Sequence, residues 1–389
     1  MKSVKLIRIT TVPSSLRVLL RHQLKFMSAF YDVLAVSSPE KVLEEVAIHE
    51  GVRTASVEMT RSITPLKDLQ ALWKLYRLFK KEKPAIVHTH TPKAGLLGMM
   101  AGRLAGVPIR MHTVAGMPLM VSTGLKKRVL QRVERLTYSC ATGVYPNSKN
   151  LAEYIFKNQF CKQKKLKVLG NGSSNGIDTD FFQLTPAIAS SANDLKKRFH
   201  FRESDFVFLF IGRLVKDKGI EELVDAFIQL KKNHPEIKLL LVGPYEQELD
   251  PISENTISRI EIDPNIVHED FQHDVRPYLA VSNALTFPSY REGFPNVPMQ
   301  AGCFNLPLIV TDINGCNEIV EHGKNGLIIP VKDSAALSDA MLTLLADKLL
   351  YSTLEKNARQ MIVGRYDQKK LWNLLLDEYQ SQLKMNEIV

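Results

Sequence analysis

No stretch of this 389-residue sequence is apolar for long enough to cross a bilayer as a helix. The longest uncharged apolar runs, such as Phe206–Gly212 and Leu239–Pro244, fall far short of the roughly 18–20 residues that a span needs. The start, Met1-Lys-Ser-Val-Lys-Leu6, has charges but no apolar run of signal-peptide length, so secretion is not expected. Cysteine is scarce: Cys140, Cys161, Cys303 and Cys316 contain no C-x-x-C pair. They are too few to staple the chain and read as reduced, packed thiols rather than a zinc or iron–sulfur site. Gly and Pro, at 20 and 19, are at ordinary levels, which excludes collagen-like and low-complexity classes. The loop after the first strand-like run, Thr10-Thr-Val-Pro-Ser-Ser15, lacks glycine, which argues against a nicotinamide-binding fingerprint there.

Acidic residues are thin in the first half. Residues 1–180 carry 29 Lys+Arg against 12 Asp+Glu, whereas residues 181–389 carry 22 against 29. A first half so basic suits an anionic partner: nucleic acid, an anionic lipid surface or a phosphorylated substrate. A solvated basic face would give the same count. The basic half shows no nucleic-acid-binding motif and no basic run interleaved with aromatics, so nucleic acid is not the expected partner.

What is present is a repeated alternation of strand-like and helical segments. Strand-like runs fall at Lys5–Thr10, Val33–Ser37, Ala85–His90, Ile109–Thr113 and Lys167–Leu169. After a Ser/Ala/Asn-rich stretch, Leu184–Asp194, they resume at Phe206–Gly212, Ile237–Gly243, Ala284–Pro288, Pro307–Thr311 and Gly326–Pro330. Runs this continuously apolar suit parallel strands covered on both faces. The expectation is α/β: two Rossmann-like domains facing a cleft, at 1–170 and 171–365. Residues 366–389 are expected to form a closing helix that packs back towards the first domain, with Leu371, Leu375, Tyr379 and Leu383 as its apolar stripe.

Three motifs invite a wrong turn. Gly170-Asn-Gly-Ser-Ser-Asn-Gly176 has one residue too many for a dinucleotide fingerprint and does not open a helix, so it reads as a turn-rich crossover. Asp178-Thr-Asp180 resembles a cation-holding D-x-D, but its place at the domain break favours turn-forming carboxylates. His88 and His90 point the same way on a strand, yet no carboxylate or cysteine cluster completes a metal set beside them.

The chemistry concentrates in the second half. After Phe206–Gly212 comes Arg213-Leu-Val-Lys-Asp-Lys218-Gly219 and then an amphipathic helix. That puts Arg213 and Lys218 between a strand end and a helix amino terminus, where free N–H groups and the helix dipole favour a phosphate. After Ala284–Ser289 comes Tyr290-Arg-Glu292-Gly293-Phe294-Pro295-Asn296. Gly293 allows close backbone approach, and Pro295 fixes φ as a second helix begins. Glu292, an acceptor, suits sugar hydroxyls. Gln300, eight residues later, is expected on the same face, where its amide can bond a ribose diol without adding charge.

Taken in order, Gly212-Arg213-Leu214 with Lys218-Gly219, Leu241-Val-Gly243, Phe287-Pro-Ser289 and Glu292–Asn296 resemble a GT-B glycosyltransferase of family 4, a retaining nucleotide-sugar transferase family. Asn171-Gly172 with Gly176-Ile-Asp178 completes the pattern at the crossover. His88-Thr-His-Thr-Pro-Lys93-Ala-Gly95 and His112-Thr-Val-Ala-Gly116 are similar to transferases of bacterial capsule, O-antigen and glycan assembly. The resemblance covers essentially the whole chain. It implies a nucleoside-diphosphate sugar as co-substrate, most often a UDP-sugar and here a UDP-N-acetylhexosamine among the candidates. It implies no resident cofactor and no obligatory metal.

By the same resemblance Arg213 and Lys218 match the diphosphate-binding pair, and Glu292 matches the first acid of an E-x7-E element that contacts the donor sugar. Gln300 stands where the second acid belongs, and Gly212, Gly243, Gly293, Phe294, Pro295 and Asn296 complete the donor side. Where the family often has a His directly before a glycine, this chain has Ala115-Gly116. His112, three residues earlier, is the candidate in its place, with Lys93 on the acceptor side.

The acceptor implied is a polyprenyl-diphosphate-linked saccharide, with the enzyme in the cytoplasm, peripheral at the inner face of the plasma membrane. Met117–Val121 reads as an exposed apolar loop. In the following helix Leu125, Val129, Arg132/Val133 and Leu136 trace a stripe flanked by cations, which fits an anionic membrane surface or a core-facing stripe equally. A sugar-nucleotide epimerase of the same fold is the main alternative activity, and a basic nucleic-acid-binding protein the other alternative.

Overall fold

Every strand among the described residues lies in one of two parallel sheets, and the strands that the sequence hides are at the sheet edges. In a computed structural model describing residues 4–60, 62, 64–246, 248 and 250–388, the chain divides into two units, Met1–Gly176 with Gln368–Val389 and Ile177–Asp367. The expected divisions at 170/171 and 365/366 fall six and two residues before these.

The first unit contains β1 (Lys5–Ile9), β2 (Asp32–Ser37), β3 (Arg53–Ser56), β4 (Ile86–Thr89), β5 (Ile109–Val114) and β6 (Gly143–Pro146). They run parallel in the order β3-β2-β1-β4-β5-β6. Helices Pro65–Glu82, Pro92–Ala105 and Gly124–Cys140 build a core on one face. Helices Gln23–Ser28 and Gln368–Met385 build one on the other. The stripe Leu371, Leu375, Tyr379 and Leu383 is buried there, each side chain contributing about 1.5–3 kcal/mol. That burial is why the last helix belongs to the first unit.

The second unit contains β7 (Phe206–Ile211), β8 (Ile237–Val242), β9 (Ile266–Glu269), β10 (Ala284–Phe287), β11 (Leu308–Thr311) and β12 (Gly326–Ile329), parallel in the order β12-β11-β10-β7-β8-β9. Both sheets repeat one plan, with the first strand beside the fourth. Strand order reverses at β1/β4 and at β7/β10. The carboxyl ends flanking such reversals are where open α/β sheets bind ligands.

Several expectations need correction. Lys167–Leu169 is not a strand; only Leu166 makes an isolated bridge, to Val144. The Ser/Ala/Asn-rich stretch Leu184–Asp194, read only as the point after which the alternation resumes, lies mostly in helix Pro186–Arg198. The Thr185 side chain caps it by accepting from the Ile188 N–H, and Pro186 opens its first turn, two start signals that composition overshadowed. Met117–Val121 is no exposed loop: Met117 and Leu119 are buried and Met120 is exposed, around the short turn Pro118–Val121.

Candidate active site

The reversal at β7/β10 brings two loops together. β7 runs into Gly212 and Arg213, then into a short turn, Lys216–Lys218, ahead of helix Ile220–Lys231. β10 leads through Pro288–Pro295 into helix Asn296–Cys303. The Tyr290 N–H donates to the Asp217 carbonyl at 2.8 Å, and the Arg291 guanidinium pairs with the Asp217 carboxylate at 2.8 Å. Gly219, at φ 70°, lies so close to the other loop that a Cβ there would collide with the Pro288 carbonyl oxygen. At the neighbouring strand end Gly243, at φ 143°, presses on the Gly212 carbonyl in the same way. Only glycine meets both demands.

The stitched loops hold the candidate charges. Lys218 and Glu292 form an ion pair, each 16% exposed, and the Ser289 hydroxyl donates to the same Glu292 oxygen at 3.0 Å. Arg213 pairs with Glu246 and is half exposed. Lys218 is therefore a screened, positioned cation, and Arg213 one that can swing. The Phe294 ring packs on Tyr366, with centroids 5.4 Å apart. The Gly293 carbonyl accepts from the Asn314 amide at 2.5 Å. Asn296 is exposed at the first position of the helix, with Pro295 as its cap.

One expectation fails on geometry. Glu292 lies in the loop before helix Asn296–Cys303, so helical periodicity does not put it on a shared face with Gln300. Gln300 is half-buried within the helix, and its amide makes no hydrogen bond among the described residues.

In the first unit the equivalent positions are filled by buried groups. His112, on β5, is 3% exposed and bonds Thr89 Oγ1 through Nδ1 at 2.8 Å. Burial lowers its pKa to about 4, so the ring is neutral. Helix Pro92–Ala105 crosses at Gly95, where any Cβ would strike the His112 ring. His88 bonds the Tyr379 hydroxyl at 2.6 Å and Thr113 Oγ1 at 2.8 Å. His90 Nε2 accepts from the Arg8 Nε at 3.0 Å, and burial holds both rings well below the usual histidine pKa. Arg8 is fully buried and also donates to Gln23 Oε1 at 2.5 Å. Lys93 is clamped by both Asp68 oxygens at 2.6 and 2.5 Å.

Residues 191–361 match the model for glycosyl transferases group 1, and residues 20–172 match the glycosyl transferase 4-like domain. The capsular polysaccharide biosynthesis glycosyltransferase CapM of Staphylococcus aureus is 34% identical over 389 residues, covering 100% of both chains. The chain belongs to the GT-B glycosyltransferases. The UDP-Gal:alpha-D-GlcNAc-diphosphoundecaprenol alpha-1,3-galactosyltransferase of Escherichia coli is 31% identical, over 82% of this chain and 81% of its own. Anabaena HepE, solved in complex with UDP, shares the fold at TM-score 0.80 and 19% identity, covering 97% of this chain and 100% of its own.

The groups of this transferase that sequence reading missed are those that hold others. Asp68, Glu246 and Asn314 are common polar residues 25, 33 and 21 positions from Lys93, Arg213 and Gly293, and carry no local signal. Arg8 did carry one, since a lone cation inside Leu6-Ile-Arg-Ile9 is anomalous for a buried strand. Among the described residues no group of three or more His, Cys, Asp or Glu is placed to hold a metal. No described helix is long and apolar enough to cross a membrane.

Proposed function

We propose that this transferase moves a hexose or N-acetylhexosamine, with retention of configuration, from a UDP-sugar to a polyprenyl-diphosphate-linked saccharide in surface polysaccharide assembly. The observation that carries the reading is the stitched pair of loops at β7/β10, with Lys218, Arg213 and Glu292 beside the start of helix Asn296–Cys303. Likeness to CapM and to a transferase named for a diphosphoundecaprenol acceptor supports the substrate classes. The basic first half supports work as a peripheral protein at the inner face of the plasma membrane.

In this mechanism the bond between the sugar C1 and the diphosphate oxygen breaks as the acceptor oxygen attacks the same face. The acceptor proton passes to the departing diphosphate oxygen. Lys218 and Arg213, with the helix amino terminus, stabilise the charge growing on that leaving group. Glu292 accepts from donor-sugar hydroxyls once Lys218 turns to phosphate. Gln300 offers its free amide to the ribose, and His112 with Lys93 lies on the acceptor side.

A panel of UDP-hexoses and UDP-N-acetylhexosamines, each scored for thermal stabilisation, tests the donor. A saturating ligand that binds only the folded protein adds about 2.7 kcal/mol at a hundred times its Kd. One UDP-sugar should stabilise more than UDP alone and be transferred to a polyprenyl-diphosphate-linked saccharide with its anomeric configuration kept. An inverted product, or no transfer from any of them, overturns the reading.

A further inference from the structure

A trans peptide carries its carbonyl and its N–H on opposite sides, so a carbonyl that is held decides where the next N–H points. The loop after β10 shows this with both ends in view. The Ser289 carbonyl accepts from the Thr311 hydroxyl, on the β11 side, while the Tyr290 N–H of the same peptide donates to the Asp217 carbonyl, on the β7 side. β10 lies between β11 and β7 in the sheet, so the two contacts hold one peptide from opposite directions.

A few residues further on, only one end is held. The Asn314 amide, in the loop after β11, donates to the Gly293 carbonyl at 2.5 Å and to the Glu292 carbonyl at 3.4 Å. Two carbonyl acceptors can be served only by the NH2 end of that side chain. Gly315, at φ 79°, brings the two loops so close that a Cβ there would lie 2.7 Å from the Gly293 carbonyl oxygen and 2.9 Å from the Phe294 Cα. No peptide among the described residues is cis. The N–H groups of Gly293 and Phe294 therefore turn away from Asn314 and towards the β7 side, where Lys218 lies. Neither N–H has a hydrogen-bond partner among the described residues.

We infer that Asn314 is a positioning residue for sugar transfer: by holding the carbonyls of Glu292 and Gly293 it aims the N–H groups of Gly293 and Phe294 at the leaving diphosphate. This role rests on the reading that the loop pair takes a nucleoside-diphosphate sugar. N–H groups fixed in place beforehand need no rearrangement as charge builds on the leaving oxygen, so their contribution falls mainly on kcat. Without the amide, the peptides on either side of Gly293 can rotate, because glycine offers little resistance, and the N–H groups lose their aim. A carboxylate in place of the amide would face two carbonyl oxygens and repel both.

The test compares Asn314→Ala, Asn314→Asp and Asn314→Gln in the full chain, with the UDP-sugar that the stabilisation panel selects. Asn314→Ala should lower kcat about tenfold or more and leave KM for the donor within about threefold. Asn314→Asp, of the same shape, should lose at least as much, and Asn314→Gln, which keeps an NH2 donor, should recover part of the loss. A packing role predicts the reverse order, with Asp harmless and the longer Gln worst. Melting temperatures near that of wild type show that the variants fold. Hydrogen exchange gives a readout that needs no turnover: saturating UDP should slow exchange in segment 290–296 of wild type, and Asn314→Ala and Asn314→Asp should lose that protection. Wild-type kcat in both of these variants, a loss confined to KM, or UDP protection that is absent from wild type or unchanged in both variants overturns the inference. Wild type that transfers no sugar, yet shows UDP protection that depends on Asn314, sinks the proposed function and leaves Asn314 as the residue that aims this loop.

Discussion

The two units share one sheet plan and differ in what they place at the strand ends beside the order reversal. In the second unit those ends carry accessible charge, Arg213 and the Lys218–Glu292 pair, on loops that stitch to each other. In the first unit they carry a buried polar cluster in which Arg8, His88, His90 and His112 are almost wholly covered. A part-exposed ion pair on a loop can exchange its partner for a ligand more cheaply than a fully buried one. A buried, neutral histidine cannot change its proton or partner without upsetting its surroundings. The scaffold is common; which unit can answer a charged ligand is set by burial.

Acid should break the symmetry most strongly. His112 has its pKa lowered to about 4 by burial, and burial lowers His88 and His90 too, against about 6.5 in an unfolded chain. Below about pH 6.5 the unfolded state takes up protons that the folded state refuses, so stability is full above that pH. The His112 contribution falls as pH drops and is lost near pH 4. For His112 alone the loss is about 3 kcal/mol. None of the second unit's histidines is buried, so hydrogen exchange at about pH 5 should open the first unit before the second. Urea midpoints for wild type and His112→Gln should converge as pH falls from 7.5 to 4.5. Parallel midpoints across that range would show that His112 titrates normally.

The next effect belongs to the second unit. Losing a charged hydrogen bond to the donor diphosphate costs on the order of 1.5–3 kcal/mol, so Lys218→Ala and Arg213→Ala should each lower kcat/KM about ten- to a hundredfold or more. Lys218, at 16% exposure against 52% for Arg213, works in the drier surroundings and should show the larger loss. Both variants should keep the wild-type melting temperature within a few degrees. Wild-type turnover in both would remove these cations from the donor site.

Burial also decides what could be read in advance. Strands β1, β2, β7, β8, β10 and β11 lie inside their sheets, covered on both faces, and their runs are nearly all apolar. The unread strands β3, β6 and β9 are all edge strands. Arg53-Thr-Ala-Ser56 is exposed or half-buried throughout, Gly143-Val-Tyr-Pro146 contains two poor strand formers, and Ile266-Val-His-Glu269 ends in polar residues. Edges need no continuous apolar run, so periodicity is silent there. The candidate donor loops stood out in the sequence because glycine, cation and strand end fall together there. Asp68 and Lys93, or Arg213 and Glu246, meet only through the fold. The face expected to be shared by Glu292 and Gln300 failed because a helical count was carried across Glu292-Gly-Phe-Pro295, which is loop.

The smallest expected effect is no effect. A divalent ion serves many sugar transfers by holding the leaving diphosphate, and the second unit offers Lys218, Arg213 and a helix amino terminus for that purpose. In the D-x-D pattern noted in the sequence, Asp178-Thr-Asp180, the first two residues are engaged elsewhere. Asp178 Oδ1 accepts from the Phe181 N–H at 3.0 Å, closing a turn, and Thr179 Oγ1 donates to Asp367 at 2.6 Å. Asp178 also acts on the Cys303 thiol, helping burial to push its pKa up to about 12. Cys303 is the last residue of helix Asn296–Cys303, whereas the candidate donor loop meets the first. Eight residues at a rise of about 1.5 Å each separate the two ends by roughly 10 Å. Transfer should therefore continue in EDTA at an unchanged kcat, measured with the donor that the stabilisation panel selects. Complete loss, restored by Mg²⁺ or Mn²⁺, would mean that an ion joins Lys218 and Arg213 at the diphosphate, and Asp178→Asn would then show whether that turn supplies a ligand.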